Sequence, residues 1–249
     1  MTIKNNILRA LLAVFLTLAT GVSPAVLRAQ ESIPASVDNS KLKYFPPLIN
    51  QIGGSCAQAS YIGYMFTYEM NRLLDRDASE NKDNQFSYLY TWNFINGGVD
   101  EGSLGTDGLQ IAFEGGIATE ADFPSQYTSS QFKWTSGYEN YLKALHYRVK
   151  KIRTFNVLNR EGVDKVRNYL WNRGESGKSG GIVTFSSRSG SWTINTNYSG
   201  LSETGYKALL TKLSPTGAHA MTIVGYDDLV EFETPEGTVS KGAFIVFNT

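Results

Sequence analysis

From Ser55 to Leu74 the apolar residues Ile62, Phe66, Met70 and Leu73 recur every three or four positions, the spacing that stacks side chains on one helical face. Tyr61, Tyr64 and Tyr68 occupy much of the remaining circumference, so the pattern predicts a long helix buried on several sides. Ser55 is the expected N-cap, which sets Cys56 in the first turn. A second helix is predicted from Gly108 through Leu109, Ile111 and Phe113 up to Gly115-Gly116, and a third over Val163, Val166 and Leu170 before Gly174. The pattern then changes to short strand-like runs at Gly181 to Phe185, Ala220 to Tyr226 and Ala243 to Phe247, separated by turns such as Pro235-Glu236-Gly237. The basic run Arg148-Val149-Lys150-Lys151-Ile152-Arg153 alternates charge with apolar residues, as an edge strand or an exposed face does. Helices early and strands late predict an α+β protein, a helical lobe followed by a sheet lobe with the change near residue 125.

The two ends of the chain read differently. Lys4 and Arg9 precede the apolar stretch Ala10 to Val22, and Leu27-Arg28-Ala29 offers small-residue cleavage before Gln30. Residues 1–29 therefore read as a secretory signal peptide, and the protein is expected to be exported: periplasmic, cell-surface or secreted. The stretch contains Thr17 and Thr20 and is followed by Gly21 and Pro24, which makes it a poor membrane span. Residues 30–43 are polar and lack periodicity, so an exposed N-terminal arm is expected before Tyr44-Phe45-Pro46-Pro47. The full sequence balances 23 basic against 23 acidic residues, and loss of Lys4, Arg9 and Arg28 with the signal leaves 20 against 23. A mildly acidic mature chain argues against nucleic acid as a partner, since phosphate binding needs surplus Lys and Arg.

Cysteine usage sharpens the picture. An exported chain enters a compartment that permits disulfides, yet this one has a single cysteine, Cys56, and can form none internally. By count alone a free cysteine is most simply a small buried apolar residue. Its neighbours point elsewhere. At a helix start the thiol faces unpaired amides and the positive end of the helix dipole, both of which favour thiolate. Gly53 and Gly54 leave space above the sulfur, and Gln51 carries an amide able, with the Cys56 N–H, to form an oxyanion hole. A thiolate hydrolase also needs an imidazole, and the chain has two histidines. His146 lies in Tyr141 to Tyr147 without turn residues to project it, and reads as structural or surface. His219 sits where the small-residue loop Pro215 to Ala218 enters an apolar strand, a ledge suited to hold a base. Asn248, at the end of the run Ala243 to Phe247, offers a side-chain carbonyl to orient that ring without adding charge. One cysteine and two scattered histidines supply no metal-ligand cluster, and no cofactor is expected.

At these residues the sequence resembles the papain family of cysteine peptidases. Gln51 with Gly54-Ser55-Cys56-Ala57 is similar to the family's nucleophile segment, Gly217 through Tyr226 to its histidine segment, and Phe244 through Thr249 to its asparagine segment. Gly115 through Pro124 resembles the stretch that closes the family's helical lobe. The resemblance spans residues 44–249 and implies a papain-like two-lobe fold, a helical lobe over about 44–125 with a long central helix and an antiparallel sheet lobe over about 126–249. An active-site cleft between the lobes would hold a protein or peptide substrate, with Cys56 as nucleophile, His219 as base, Asn248 as orienting residue and Gln51 as oxyanion donor. Several features depart from the family. Gln51 lies one residue nearer the cysteine than is usual, which leaves Asn50 as a rival donor, and Ala57 replaces the aromatic that often follows the nucleophile. The cysteines that staple the helical lobe are absent, and the family continues past the position of Thr249, so further sequence is expected there. Two other readings stay open: a catalytically weak fold that binds peptide or glycan at the cell surface, and a cell-wall amidohydrolase using Asp227 or Asp228 as an acidic third member. Nothing in the sequence fixes the oligomeric state.

Overall fold

The aromatic-rich run forms one continuous helical segment, α1, in the computed structural model, which describes residues 32–97, 99–126, 133–190, 192–195, 198–199, 209–212, 214–234 and 236–249. It opens as α-helix over Cys56–Gln58, widens to a π-helix over Ala59–Phe66 and returns to α over Thr67–Leu74. The amide of Thr67 reaches back to the carbonyl of Ile62, the five-residue step that defines the wider turn. Ser55 stands at the N-cap position but makes no side-chain cap bond; its hydroxyl instead accepts from the Ile52 amide at 3.2 Å. The expected cap is thus replaced by a turn-closing contact, and the first-turn amides are left for other partners.

Two hydrophobic clusters flank α1. Ala59, Ile62 and Phe66 pack into one with Phe86, Leu89, Trp92, Leu109 and Ile117, whereas Tyr64 and Tyr68 pack into another with Phe45, Ile182, Val224 and Ile245. The first cluster is built largely by α2, Tyr88–Asn96, and α3, Gly105–Glu114. Gln58 ties these helices together from a fully buried position. Its Nε2 donates to Ser103 Oγ and the Leu104 carbonyl, each at 3.0 Å, and its Oε1 accepts from Thr91 Oγ1 at 2.9 Å. A Cβ on Gly108 would lie 1.9 Å from that Oε1, so a glycine there is what lets α3 approach. In the second cluster Phe45 stacks on Tyr64 with centroids 5.2 Å apart and meets Phe247 edge-on at 4.7 Å. Each such aromatic pair is worth about 0.5–1.5 kcal/mol beyond its area.

The sheet is antiparallel throughout and organised on one long strand. β1 (Ser36–Asp38), β2 (Val183–Ser187) and β4 (Tyr198–Ser199) follow one another along one edge of β6 (His219–Glu233), and β7 (Val239–Phe247) runs along the other. β3 (Thr193–Asn195) and β5 (Leu209–Lys212) pair separately. α4 (Tyr138–Ala144) and α5 (Arg160–Asn172) lie between β1 and β2 in the chain, and Val166 and Leu170 of α5 pack on Tyr226 of β6.

Several expectations need correction. Residues 36–38 are not part of an exposed arm: they pair in β1 with Gly225–Asp227, and the buried Asn39 donates to the carbonyls of Leu170 at 2.7 Å and Gly181 at 2.8 Å. The backbone supplies that pairing, so no hydrophobic pattern announced it. β6 continues past Tyr226 by pairing with β4 and β7 at Glu231–Glu233, beyond a register irregularity between Asp227 and Glu231 where Asp227 Oδ1 accepts from the Leu229 amide at 2.9 Å and Asp228 pairs with Arg167. The basic run at 148–153 forms no strand and is exposed except at Val149, which packs against the first cluster. The signal-peptide residues 1–29 lie outside the described residues. No helix among the described residues is long and apolar enough to cross a membrane.

Candidate active site

Cys56 begins α1 with its thiol half-buried, and the strand entrance at His219 brings the imidazole to it. Asn248 arrives from the end of β7. Phe247 pairs with Thr222, and extending that register by one residue sets Asn248 across from Met221, two positions from His219 on the same face. The result is a hydrogen bond between His219 Nε2 and Asn248 Oδ1 at 2.6 Å, in which the ring nitrogen donates because the amide oxygen can only accept. That contact occupies Nε2 and leaves Nδ1 for the sulfur.

The electrostatics of the pair follow from these contacts. Burial pushes the Cys56 thiol up, but the hydrogen bond from His219, the amides of Ala220 and Ala57 and the charge of the imidazolium together hold it below its ordinary value. His219 is raised, chiefly by its bond to Cys56 and further by Asn248, against the opposing effect of burial. Both shifts favour thiolate with imidazolium over two neutral groups. The Ala57 amide belongs to the uncapped first turn, so the missing Ser55 cap has a chemical consequence: a helix amide faces the sulfur.

The loop before Cys56 is held by polar contacts from two other segments. Gly53 has φ +53°, in the left-handed region, and a Cβ there would collide with Asp100; Gly54 donates its amide to Asp100 Oδ1 at 2.8 Å. Gln51 Nε2 donates to the Gly53 carbonyl at 2.8 Å, and its Oε1 accepts from Thr249 Oγ1 at 2.6 Å. Asn50, the rival donor, is exposed, and its carbonyl accepts from the Tyr88 hydroxyl at 3.3 Å. Trp192 lies beside the imidazole, ring centroids 5.9 Å apart, with its indole N–H donating to the Arg188 carbonyl at 3.1 Å.

Of the sequence-derived residues, Cys56, His219 and Asn248 form one hydrogen-bonded chain, and Gln51 joins through Thr249, the residue after Asn248. His146 is exposed in the turn after α4. Asp227 and Asp228 lie eight and nine residues along β6 from His219, a separation of roughly 26–30 Å at strand rise, and their bonds to Leu229 and Arg167 are made there. They do not reach the imidazole. The sequence reading missed Asp100, Trp192 and Thr249. Thr249 was legible only as the neighbour of Asn248, and Trp192 only as a lone aromatic directly after the polar stretch Ser186 to Ser191. No group of three or more His, Cys, Asp or Glu side chains among the described residues is placed to hold a metal ion.

No family model and no curated protein matches the chain. Among solved structures it is similar to Xylellain, a cysteine protease from Xylella fastidiosa, at 17% identity and a TM-score of 0.49, over 79% of this chain and 71% of that one.

Proposed function

We propose that this chain is an exported thiol-dependent peptidase acting through Cys56, His219, Asn248 and Gln51, with a peptide laid across a cleft between a helical and a sheet lobe. The observation that carries the reading is the hydrogen-bonded chain from Cys56 through His219 to Asn248, with a lowered thiol and a raised imidazole at its centre. Cys56 Sγ attacks the scissile carbonyl, and the oxyanion is received by the Cys56 N–H and the Gln51 side chain. His219 gives its proton to the leaving amine as the C–N bond breaks, which leaves a thioester and a neutral imidazole. The imidazole then takes a proton from water as hydroxide adds to the thioester, and collapse releases the carboxylic acid and restores the thiolate–imidazolium pair. Asn248 keeps the ring aimed at the sulfur through both halves.

A peptide-library digest with wild type and Cys56→Ala tests the reading. Cleavage and labelling by a thiol-directed epoxide are expected in wild type and absent from the variant, and labelling that survives Cys56→Ala would sink it. Peptidoglycan fragments released without cleavage of denatured protein would point to a cell-wall amidohydrolase instead. A binding-only fold would leave the thiol unactivated, alkylating with a midpoint near the ordinary thiol value of about 8.5. Export is supported by the basic and apolar N-terminal pattern, and recovery of the mature chain from the cytosolic fraction alone would remove it.

A further inference from the structure

The contacts around Gln51 fix the direction of its amide as well as its place. The last torsion of a glutamine is broad and roughly two-fold, so an unrestrained amide samples many directions and two opposite faces. Here one N–H of Nε2 goes to the Gly53 carbonyl at 2.8 Å and Oε1 receives the Thr249 hydroxyl at 2.6 Å. Reversal would set Oε1 against the Gly53 carbonyl, acceptor against acceptor, whereas the Thr249 hydroxyl could bond either end. Gly53 therefore selects the face, and Thr249 holds the plane. With the oxygen and one N–H engaged, a single N–H remains, and its direction is set.

We propose that Thr249 is a positioning residue whose hydroxyl locks the Gln51 amide so that this remaining N–H is presented to the developing oxyanion. The proposal rests on the reading of Gln51 as the oxyanion donor. Because Thr249 follows Asn248, the end of β7 then carries two tasks, orienting the base through Asn248 and the oxyanion donor through Thr249. Base and donor are thereby coupled through one short backbone segment.

The test uses the full chain with Thr249→Val, Thr249→Ala and Thr249→Ser, alone and combined with Gln51→Ala, assayed on a peptide that wild type cleaves. Thr249→Val and Thr249→Ala are expected to lower kcat by roughly 10-fold with KM nearly unchanged, less than the roughly 100-fold loss of Gln51→Ala that deletes the donor outright. Thr249→Ser restores the rate, neither truncation lowers it further in the Gln51→Ala background, and the pH profile of Cys56 alkylation stays that of wild type. Three results overturn the proposal: wild-type kcat in both truncations, a second loss of similar size on top of Gln51→Ala, or a loss that Thr249→Ser does not restore. A wild type that cleaves no peptide sinks the peptidase reading and this proposal with it, whereas a cleaving wild type matched by its truncations sinks this proposal alone.

Discussion

The two ends of α1 are each fastened by polar contacts to segments from the second half of the chain, with groups of opposite acid–base character. At its C-terminal end Glu69 Oε1 receives Arg173 Nη2 at 2.6 Å, Arg173 Nη1 donates to the Tyr169 hydroxyl at 2.8 Å, and the Tyr68 hydroxyl donates to the Gly180 carbonyl at 2.7 Å. Arginine stays protonated at any working pH, and burial pushes the Tyr68 hydroxyl far above its ordinary value, so no proton moves there near neutrality. At the N-terminal end the contact joins Cys56 to His219, a thiol pulled down and an imidazole pulled up until their proton affinities approach one another. Both contacts hold the helix in place. The second can also pass a proton, and the difference lies in the matching of the two groups rather than in the strength of the bond.

The largest effect that separates these ends is expected from Cys56→Ala, which should lower kcat/KM on a cleaved peptide by about 10,000-fold or more while thermal unfolding shifts little. A large loss of stability would mean that the N-terminal contact is structural, as the C-terminal one is. His219→Ala comes next, and its readout is alkylation of Cys56 against pH. A depressed thiol pKa keeps thiolate present below the ordinary value, and a raised imidazole pKa keeps imidazolium present above its own. The pair is therefore lost as pH falls through the lowered thiol pKa or rises through the raised imidazole pKa. Without His219 the alkylation midpoint should rise toward about 8.5, so that the rate at pH 6 drops. An unmoved midpoint would show that the helix amides alone activate the sulfur.

Arg173→Met addresses the other end. It removes one of the two ion pairs of Glu69 and should cost about 2 kcal/mol in urea unfolding, below the 3–5 kcal/mol typical of fully buried pairs because Glu69 retains 27% side-chain exposure and keeps Arg72 at 3.2 Å. Its thiol alkylation profile should match wild type; a shift would show that the two ends communicate along α1. The smallest effect is expected from Trp192→Ala. An indole beside the imidazolium stabilises the cation by about 0.5 kcal/mol, so its removal should move the alkaline loss of the ion pair down by a few tenths of a pH unit. A shift upward would mean that the indole opposes the charge.

Legibility in the sequence tracked how local each feature is. The long helix was readable because Ile62, Phe66 and Met70 repeat at helical spacing, but its π-turn was not, since the wider step answers to packing on two clusters. α2 went unread because its residues 88–93 are all buried, so a run of aromatics carries no polar face to mark a period. β6 was read as far as Tyr226, where Asp227 and Asp228 break the apolar pattern; backbone pairing with β4 and β7 beyond an irregularity at those residues is what carries the strand on. The candidate site was legible through scarcity, with one cysteine and two histidines to choose among, and through the local setting of each. Asp100, Thr249 and Trp192 had no comparable signal, because each acts on a residue outside its own local segment of the chain.

By itself the sequence determined which thiol sits at a helix start, which imidazole stands at a strand entrance and which amide follows the last apolar strand. Those properties depend on residues a few positions apart, where backbone geometry fixes the outcome. The tertiary structure decided that these three side chains meet, that the Ser55 hydroxyl turns away from the amides of the first turn, and that Gln51 is held by Gly53 and Thr249. Hydrogen-bond direction is set by the position of both partners, and when these come from distant segments only their packing fixes it.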